Sequence, residues 1–274
     1  MLNEPGKNKI VVEKSIGIVG GVGPYAGLDL NRKIFDHTLA ATDQDHLSVV
    51  MISVSSEIAD RTRYILAHDV ENPAKNIFKI IKMLDELGVT AAGIPCNTAH
   101  AESIFSVLTR LISEGRLRIK LLNMIAEVVT ELKAEDNSFH VGVLSTLGTY
   151  QTGLYAAHMN QAGIPIVPSD ERLIKSVHTA IYHPTYGIKA QSNPVSQKAT
   201  EIIRTAVRAL ANQGADTVIL GCTELPLALP NDFLDGIRLI DPTTILARAL
   251  IRTVDPQKLR PGKNPDVADK VHVR

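Results

Sequence analysis

Two cysteines, Cys96 and Cys222, stand alone in a chain of 274 residues. So few thiols in so long a chain are not a disulfide framework. A reduced pair instead offers two groups with an ordinary pKa of about 8.5, close enough to neutrality to take a proton from carbon or to return one. Each cysteine leads into polar side chains: Asn97 and Thr98 after the first, Thr223 and Glu224 after the second. Together with backbone N–H groups at a following helix start, such residues suit a small substrate carrying a carboxylate. Glu224 is a candidate to move protons at Cys222, and His100 at Cys96.

The elements that must hold these residues alternate between strand and helix. Residues 16–19, 47–53, 89–95 and 121–123 read as strands, and 24–42, 72–87 and 100–113 as helices. In the first helix Leu28, Ile34, Phe35 and Leu39 follow a rough helical period, and Gly88 stops the second. The series then restarts, with strands at 141–144, 164–167, 217–220 and 239–240 and helices at 150–161, 195–212 and 242–254. Alternation of this kind predicts parallel sheets with helices on both faces. The expected organisation is one α/β unit from 1–117 plus 239–274 and a second from 118–238. The tail from Asp255, with little apolar content, is expected to be extended or poorly ordered.

The restart is a repeat. Ile16, Gly17, Ile18 and Val19 fall on Val141, Gly142, Val143 and Leu144 at an offset of 125, with Gly23 on Gly148 and Tyr25 on Tyr150. Leu84, Gly88 and Cys96 fall on Leu210, Gly214 and Cys222 at an offset of 126. Both cysteines therefore follow the same strand of a duplicated unit. Ligands of open α/β sheets bind beyond the carboxyl ends of the strands, so two units facing each other about a pseudo-twofold axis bring the thiols to one cleft from opposite sides. That geometry suits inversion of a carbon bearing hydrogen: a thiolate removes the proton from one face and a thiol supplies one to the other. The helix starts after both strands are expected to favour the thiolate.

At these residues the chain resembles the aspartate/glutamate racemase family, in its aspartate-racemase branch. The resemblance lies in Gly17-Ile18-Val19-Gly20-Gly21-Val22-Gly23-Pro24, Asp60-Arg61-Thr62, Pro95-Cys96-Asn97-Thr98-Ala99-His100 and Gly221-Cys222-Thr223-Glu224-Leu225-Pro226, with a weaker likeness at Tyr186-Gly187-Ile188-Lys189-Ala190. It implies two flavodoxin-like three-layer domains with the active site between them, a homodimer, and no pyridoxal phosphate or other cofactor. It implies Cys96 and Cys222 as the two bases, the first acting on the D-enantiomer and the second on the L-enantiomer. Arg61 and Lys189 are similar to the family's carboxylate ligands, and Asn97, Thr98, Thr146 and Thr223 to its other amino-acid contacts. Val22 stands where the branch usually has Met, and 53–56 replaces a run that usually contains Asn; Ser55 remains a candidate contact there. The substrate these resemblances imply is aspartate or glutamate.

Composition narrows the alternatives. Lys plus Arg and Asp plus Glu each number 29, so no net field attracts nucleic acid or an anionic membrane. No apolar run has the length of a membrane span and the first residues lack a signal-like apolar stretch, so the expected compartment is the cytoplasm. Four other readings stay open. Gly21-Val22-Gly23-Pro24-Tyr25-Ala26 formally fits a dinucleotide-binding turn, although Pro24 interrupts it. Cys96 and His100 have a spacing that could begin a metal site, but no second such pair exists and no metal is expected. A binding module of the same fold without chemistry, or a single-cysteine decarboxylase or isomerase, would not require both thiols.

Overall fold

The computed structural model describes residues 14–135 and 139–262. The first sheet has the order β2-β1-β3-β4, built from β1 (Ser15–Gly20), β2 (Ser48–Ser53), β3 (Ala91–Gly93) and β4 (Lys120–Leu121), all parallel. The second has the order β5-β6-β8-β7, from β5 (Val141–Ser145), β6 (Thr217–Gly221), β7 (Phe233–Leu234) and β8 (Ile237–Ile240), with only β7 antiparallel. The helices are α1 (Pro24–His37), α2 (Arg61–Leu66), α3 (Ala74–Glu86), α4 (Glu102–Glu114), α5 (Met124–Ala134), α6 (Leu147–Gln151), α7 (Leu154–Ala162), α8 (Glu171–Tyr182), α9 (Gln197–Asn212), α10 (Leu225–Ala228) and α11 (Pro242–Val254). Among the described residues no helix is long and apolar enough to cross a membrane.

Three apolar cores divide the molecule. Helices α3 and α4 cover the outer face of the first sheet through Ile77, Ile81, Leu84, Ile104 and Leu108. Helices α8 and α9 do the same for the second through Val177, Ile181, Ile203 and Leu210. The third core is shared: α11 packs on α1 and α5 and reaches β1, β3 and β6, so Leu246 and Leu250 join Ile16 and Ile18 of one sheet to Ile219 and Ile240 of the other.

The duplication is physical as well as textual. A Cβ at Gly17 would lie 3.0 Å from Leu84 Cδ1, and one at Gly142 would lie 2.8 Å from Leu210 Cδ1. Each strand glycine thus makes room for the leucine that ends the matching helix. Gly88 and Gly214, at φ 84° and 98°, turn the chain in the left-handed region after those helices.

Several expectations change. Helix α1 stops at His37, not Thr42, because Thr38 turns extended, returns its hydroxyl to the Ile34 carbonyl at 2.6 Å and bridges to Leu259. Its buried face is Ala26, Asp29, Leu30, Lys33 and Ile34, whereas Leu28, Phe35 and Leu39 are exposed. Counting apolar residues missed this face because two of its members are charged. Lys33 sits between Asp29 and Asp241, binding both, so charges neutralise one another between α1 and α11. The helix at 150–161 is broken at Gly153, φ 61°, into α6 and α7. Residues 164–167 form only a bridge, Ile166 against Val141, and the strand expected at 89–95 is paired only over Ala91–Gly93. The start of the tail is pinned: Leu39 N donates to the Lys258 carbonyl at 2.7 Å and Arg260 N to the His37 carbonyl at 2.8 Å. Residues 263–274 of the tail lie outside the described residues, as do the first thirteen. Helices α2, α5 and α8 were not expected; α8, with Asp170 capping Leu173 N, carries one wall of the cleft.

Two outcomes follow for stability. Gly142→Ala lowers the unfolding free energy by about 1–3 kcal/mol through overpacking against Leu210, and Leu210→Val in the same chain recovers part of the loss; denaturant unfolding checks both. Lys33→Met removes the cation shared by Asp29 and Asp241 and leaves Asp29 only Arg32; it costs about 1–3 kcal/mol, read as a lowered denaturation midpoint.

Candidate active site

The carboxyl ends of the central strands of both sheets meet at one small cleft. It is lined by Val22, Arg61, Thr62, Cys96, Asn97, Thr98, Thr146, Tyr182, Lys189, Cys222, Thr223 and Glu224. Cys96 follows β3 and Cys222 follows β6, the equivalent strands, and both are buried and free of disulfide. The free space inside it is about 10 Å³, roughly room for one water and far below the ~300–1,000 Å³ usual for small-molecule sites, so the lining side chains stand closed.

Contacts between the halves close the cleft. Thr98 and Thr149 share a hydroxyl contact at 2.8 Å, and Thr146 donates to Thr149 at 3.2 Å. Thr223 donates from its hydroxyl to the Pro95 carbonyl at 3.1 Å. Tyr182 on α8 lies 3.2 Å from the Thr62 hydroxyl and donates to Asp60 at 3.3 Å. The strand-to-helix glycines allow this approach. A Cβ at Gly148 would fall 2.9 Å from Thr62 Oγ1, and one at Gly23 would fall 2.8 Å from Glu224 Oε1. The Gly21–Gly23 turn is also filled from the other side, with Val54 N and Ser55 N 2.9 Å from a Cβ at Gly21. These glycines serve close packing, and the turn has no open face for a pyrophosphate.

The charged groups are arranged differently at the two sulfurs. Arg61, at the start of α2, is 8% exposed and donates through Nη2 to the Val22 carbonyl at 2.6 Å, while its Nε has no partner among the described residues. Burial pulls its pKa down, but the adjacent Cys96 sulfur, Asp60 and Tyr182 outweigh burial and hold the guanidinium more firmly charged than usual. Cys222 instead donates its Sγ proton to Glu224 Oε2 at 2.9 Å, and Lys189 holds the other oxygen of that carboxylate. Burial, then the Glu224 charge, push the Cys222 thiol far above its ordinary range, with Lys189 opposing. Glu224 is itself pulled the other way: burial raises its pKa, yet Lys189 and the bonds to Cys222 and Lys189 bring it below the usual carboxylate value. Cys222 therefore rests as a thiol beside a carboxylate.

At Cys222 this corrects the expectation that the following helix start favours a thiolate. Cys96 is followed by a single 3₁₀ turn, Asn97–His100, and Cys222 by a helix of four residues, α10. So short an element carries little of the aligned dipole of a full helix, and at Cys222 burial beside Glu224 prevails. His100 also falls outside the cleft lining: Nδ1 meets the Cys96 carbonyl at 2.9 Å, the ring stacks on Phe105, and burial lowers its pKa to about 4, keeping it neutral. Among the described residues no group of three or more His, Cys, Asp or Glu is arranged to hold a metal.

Arg61, Asn97, Thr98, Thr146, Lys189, Thr223 and Glu224 are all brought to the cysteine pair. Ser55 is not: it is exposed in the turn Ser55–Glu57, outside the cleft lining. Thr62, Tyr182, Thr149 and Tyr155 were missed as site or supporting residues. Thr62 adjoins a residue that had been singled out, and Thr149 lies three residues beyond Thr146, a spacing shared by neighbours on a helix turn. Tyr182 sits on an amphipathic helix and Tyr155 at a buried position of α7, where an aromatic residue reads as core, so only packing reveals them.

Residues 19–250 match the Asp/Glu/Hydantoin racemase family. An aspartate racemase of Picrophilus torridus has the same architecture, with a TM-score of 0.72 and 30% identity, covering 88% of this chain and 94% of that one. A broad-specificity amino-acid racemase of Bacillus subtilis is 24% identical over 247 residues, 87% of this chain and 97% of that protein. A glutamate racemase of Deinococcus radiodurans is 30% identical over 164 residues, 59% of this chain. The chain spans 52% of the length of that enzyme and 51% of the Bacillus cereus glutamate racemase. With duplicated α/β units, a cysteine ending the same strand of each, and a match that takes in both, the chain belongs to the Asp/Glu/Hydantoin racemase family.

Proposed function

We propose that the protein is a cofactor-independent amino-acid racemase that transfers protons at the α-carbon of aspartate, or of glutamate, between Cys96 and Cys222. The observation that carries this reading is the placement of both thiols at equivalent strand ends on one cleft with two cationic side chains, Arg61 and Lys189. In one direction the Cys96 thiolate takes the α-proton: the Cα–H bond breaks and an S–H bond forms. The Cys222 thiol then gives its proton to the opposite face, leaving a thiolate on Cys222 and the inverted carbon. The reverse direction starts from the Cys222 thiolate. The Cys222 proton already points at Glu224, so Glu224 accepts it when Cys222 must become the base. The polarity carried over from the family resemblance makes Cys96 the base for the D-enantiomer and Cys222 for the L-enantiomer. Arg61 offers a fork of donors to a carboxylate, and Lys189 a point charge; Lys189 is shared with Glu224.

The direct test is incubation with L- and D-aspartate, L- and D-glutamate and other single enantiomers in D₂O without added cofactor. Optical rotation should decay and deuterium should enter at the α-carbon. Cys96→Ser and Cys222→Ser should each lower kcat by about 10²-fold or more. If no amino acid exchanges or inverts, and both variants match the parent, the reading is wrong.

A second outcome concerns pH. The Glu224 charge raises the Cys222 thiol pKa and Lys189 lowers it. In Glu224→Gln the raising charge is gone and Lys189 is no longer neutralised, so both changes bring the thiol pKa down. The profile of kcat/KM in the direction that uses Cys222 as base should therefore reach its plateau at lower pH than in the parent. The plateau itself should be lower, because the proton acceptor is lost. An unchanged profile would remove Glu224 from that role.

A further inference from the structure

Tyr155 is buried on α7, 4% exposed and packed in the core shared by the two sheets. Its hydroxyl donates across to Asn97 Oδ1, the residue that follows Cys96. Among the described residues the hydroxyl has no other hydrogen-bond partner, and Asn97, 2% exposed, lines the cleft with its Nδ2 unpartnered. A buried phenol proton must find an acceptor. Only the amide orientation with Oδ1 toward Tyr155 supplies one; the flipped amide would set Nδ2 against the phenol and leave that proton unmet. The duplication sharpens the point. At the offset of 125 that aligns the two halves, the end of α1 at His37 falls on the end of α7 at Ala162, and Tyr155 falls on Leu30. Leu30 is buried in the same core but has no hydroxyl, and the residue matching Asn97 at the offset of 126 is Thr223, not an amide. The hydroxyl and the amide occur on the same side of the pseudo-symmetric site, and only there.

We propose that Tyr155 is a positioning residue that locks the Asn97 amide with its NH₂ edge toward the cleft, so that the Cys96 side of the site accepts a substrate carboxylate oxygen and rejects a carboxamide NH₂. This rests on the racemase reading above and adds a determinant of selectivity to it. Tyr155→Phe keeps the ring but removes the donor. The Asn97 amide can then rotate and present Oδ1, which pairs equally well with a carboxamide.

The test compares aspartate with its two monoamides, asparagine and isoasparagine, by calorimetric titration, together with steady-state kinetics on aspartate. In the parent, at least one monoamide should bind well below aspartate. In Tyr155→Phe that preference should shrink about tenfold, the worth of one hydrogen bond to a charged group, while KM for aspartate rises and kcat changes little. A double-mutant cycle separates orientation from structural support: in an Asn97→Ala background Tyr155→Phe should have no further effect on aspartate affinity, whereas a merely structural tyrosine would add its own loss. Asn97→Asp, which keeps the acceptor for Tyr155 but loses the NH₂ edge, should weaken aspartate binding more than Tyr155→Phe does. Unchanged discrimination in Tyr155→Phe, or additive losses in the cycle, overturns the proposal alone. If the parent binds neither aspartate nor, in the same series with its own monoamides, glutamate, the racemase reading fails and the proposal falls with it.

Discussion

A carboxylate buried away from water must be paired, and the pairing of Glu224 organises the cleft. Glu224 is 4% exposed, with Lys189 on one oxygen and the Cys222 thiol on the other. Lys189 lies beyond the end of α8, reached by backbone bonds such as Lys189 N to the Ile181 carbonyl at 3.1 Å. One ion pair thus ties the strand end that carries Cys222 to the segment after α8, and it brings the glycine turn of the other half against Glu224. Removing either charge would strand its partner in a medium that solvates ions poorly. Burial first, and then the Glu224 charge of that pair against Lys189, keep Cys222 a thiol, so the packing of this side of the site also sets its chemistry.

Duplication supplies two similar sites, and divergence makes them unequal. Both cysteines follow equivalent strands, with the same glycine–leucine packing behind them. Their surroundings differ in charge: Arg61 stands near Cys96, while Cys222 answers to Glu224 and Lys189. They also differ in hydrogen bonding, with the Tyr155–Asn97 bond on one side and Thr223 bonded to the Pro95 carbonyl on the other. A chiral carbon presents different groups to its two faces, so a symmetric cleft would hold only one of them well. The unequal sides answer that demand while the shared core around α11 keeps the two sheets in register.

Much of this was legible in the order of residues. Strand positions, the repeat and the equivalence of the two cysteines follow from local periodicity and from matching glycines, because strand-to-helix turns and helix stops leave strong local signatures; the polar neighbours of the cysteines follow from adjacency, and Arg61, Lys189 and Thr146 from the family resemblance. What failed was local information about non-local contacts. The buried face of α1 was misread because the buried Lys33 is balanced not only by Asp29 on its own helix but by Asp241, more than two hundred positions away. Helix α8 follows a short irregular segment and was missed, and with it Tyr182. Ser55 adjoins a family motif in sequence but faces solvent, because the Gly21 turn packs on its backbone and not its side chain.

By itself the sequence determined that two equivalent thiols exist, that they end equivalent strands, and that amide, hydroxyl and charged groups accompany them, since these depend on residue identity and spacing. Only the tertiary structure decided how those groups pair. Glu224 meets Lys189 and Cys222, Asn97 meets Tyr155, and His100 meets the backbone carbonyl of Cys96. Such pairings depend on burial and on which half faces which, and burial is a property of the packed chain that no local run of residues contains.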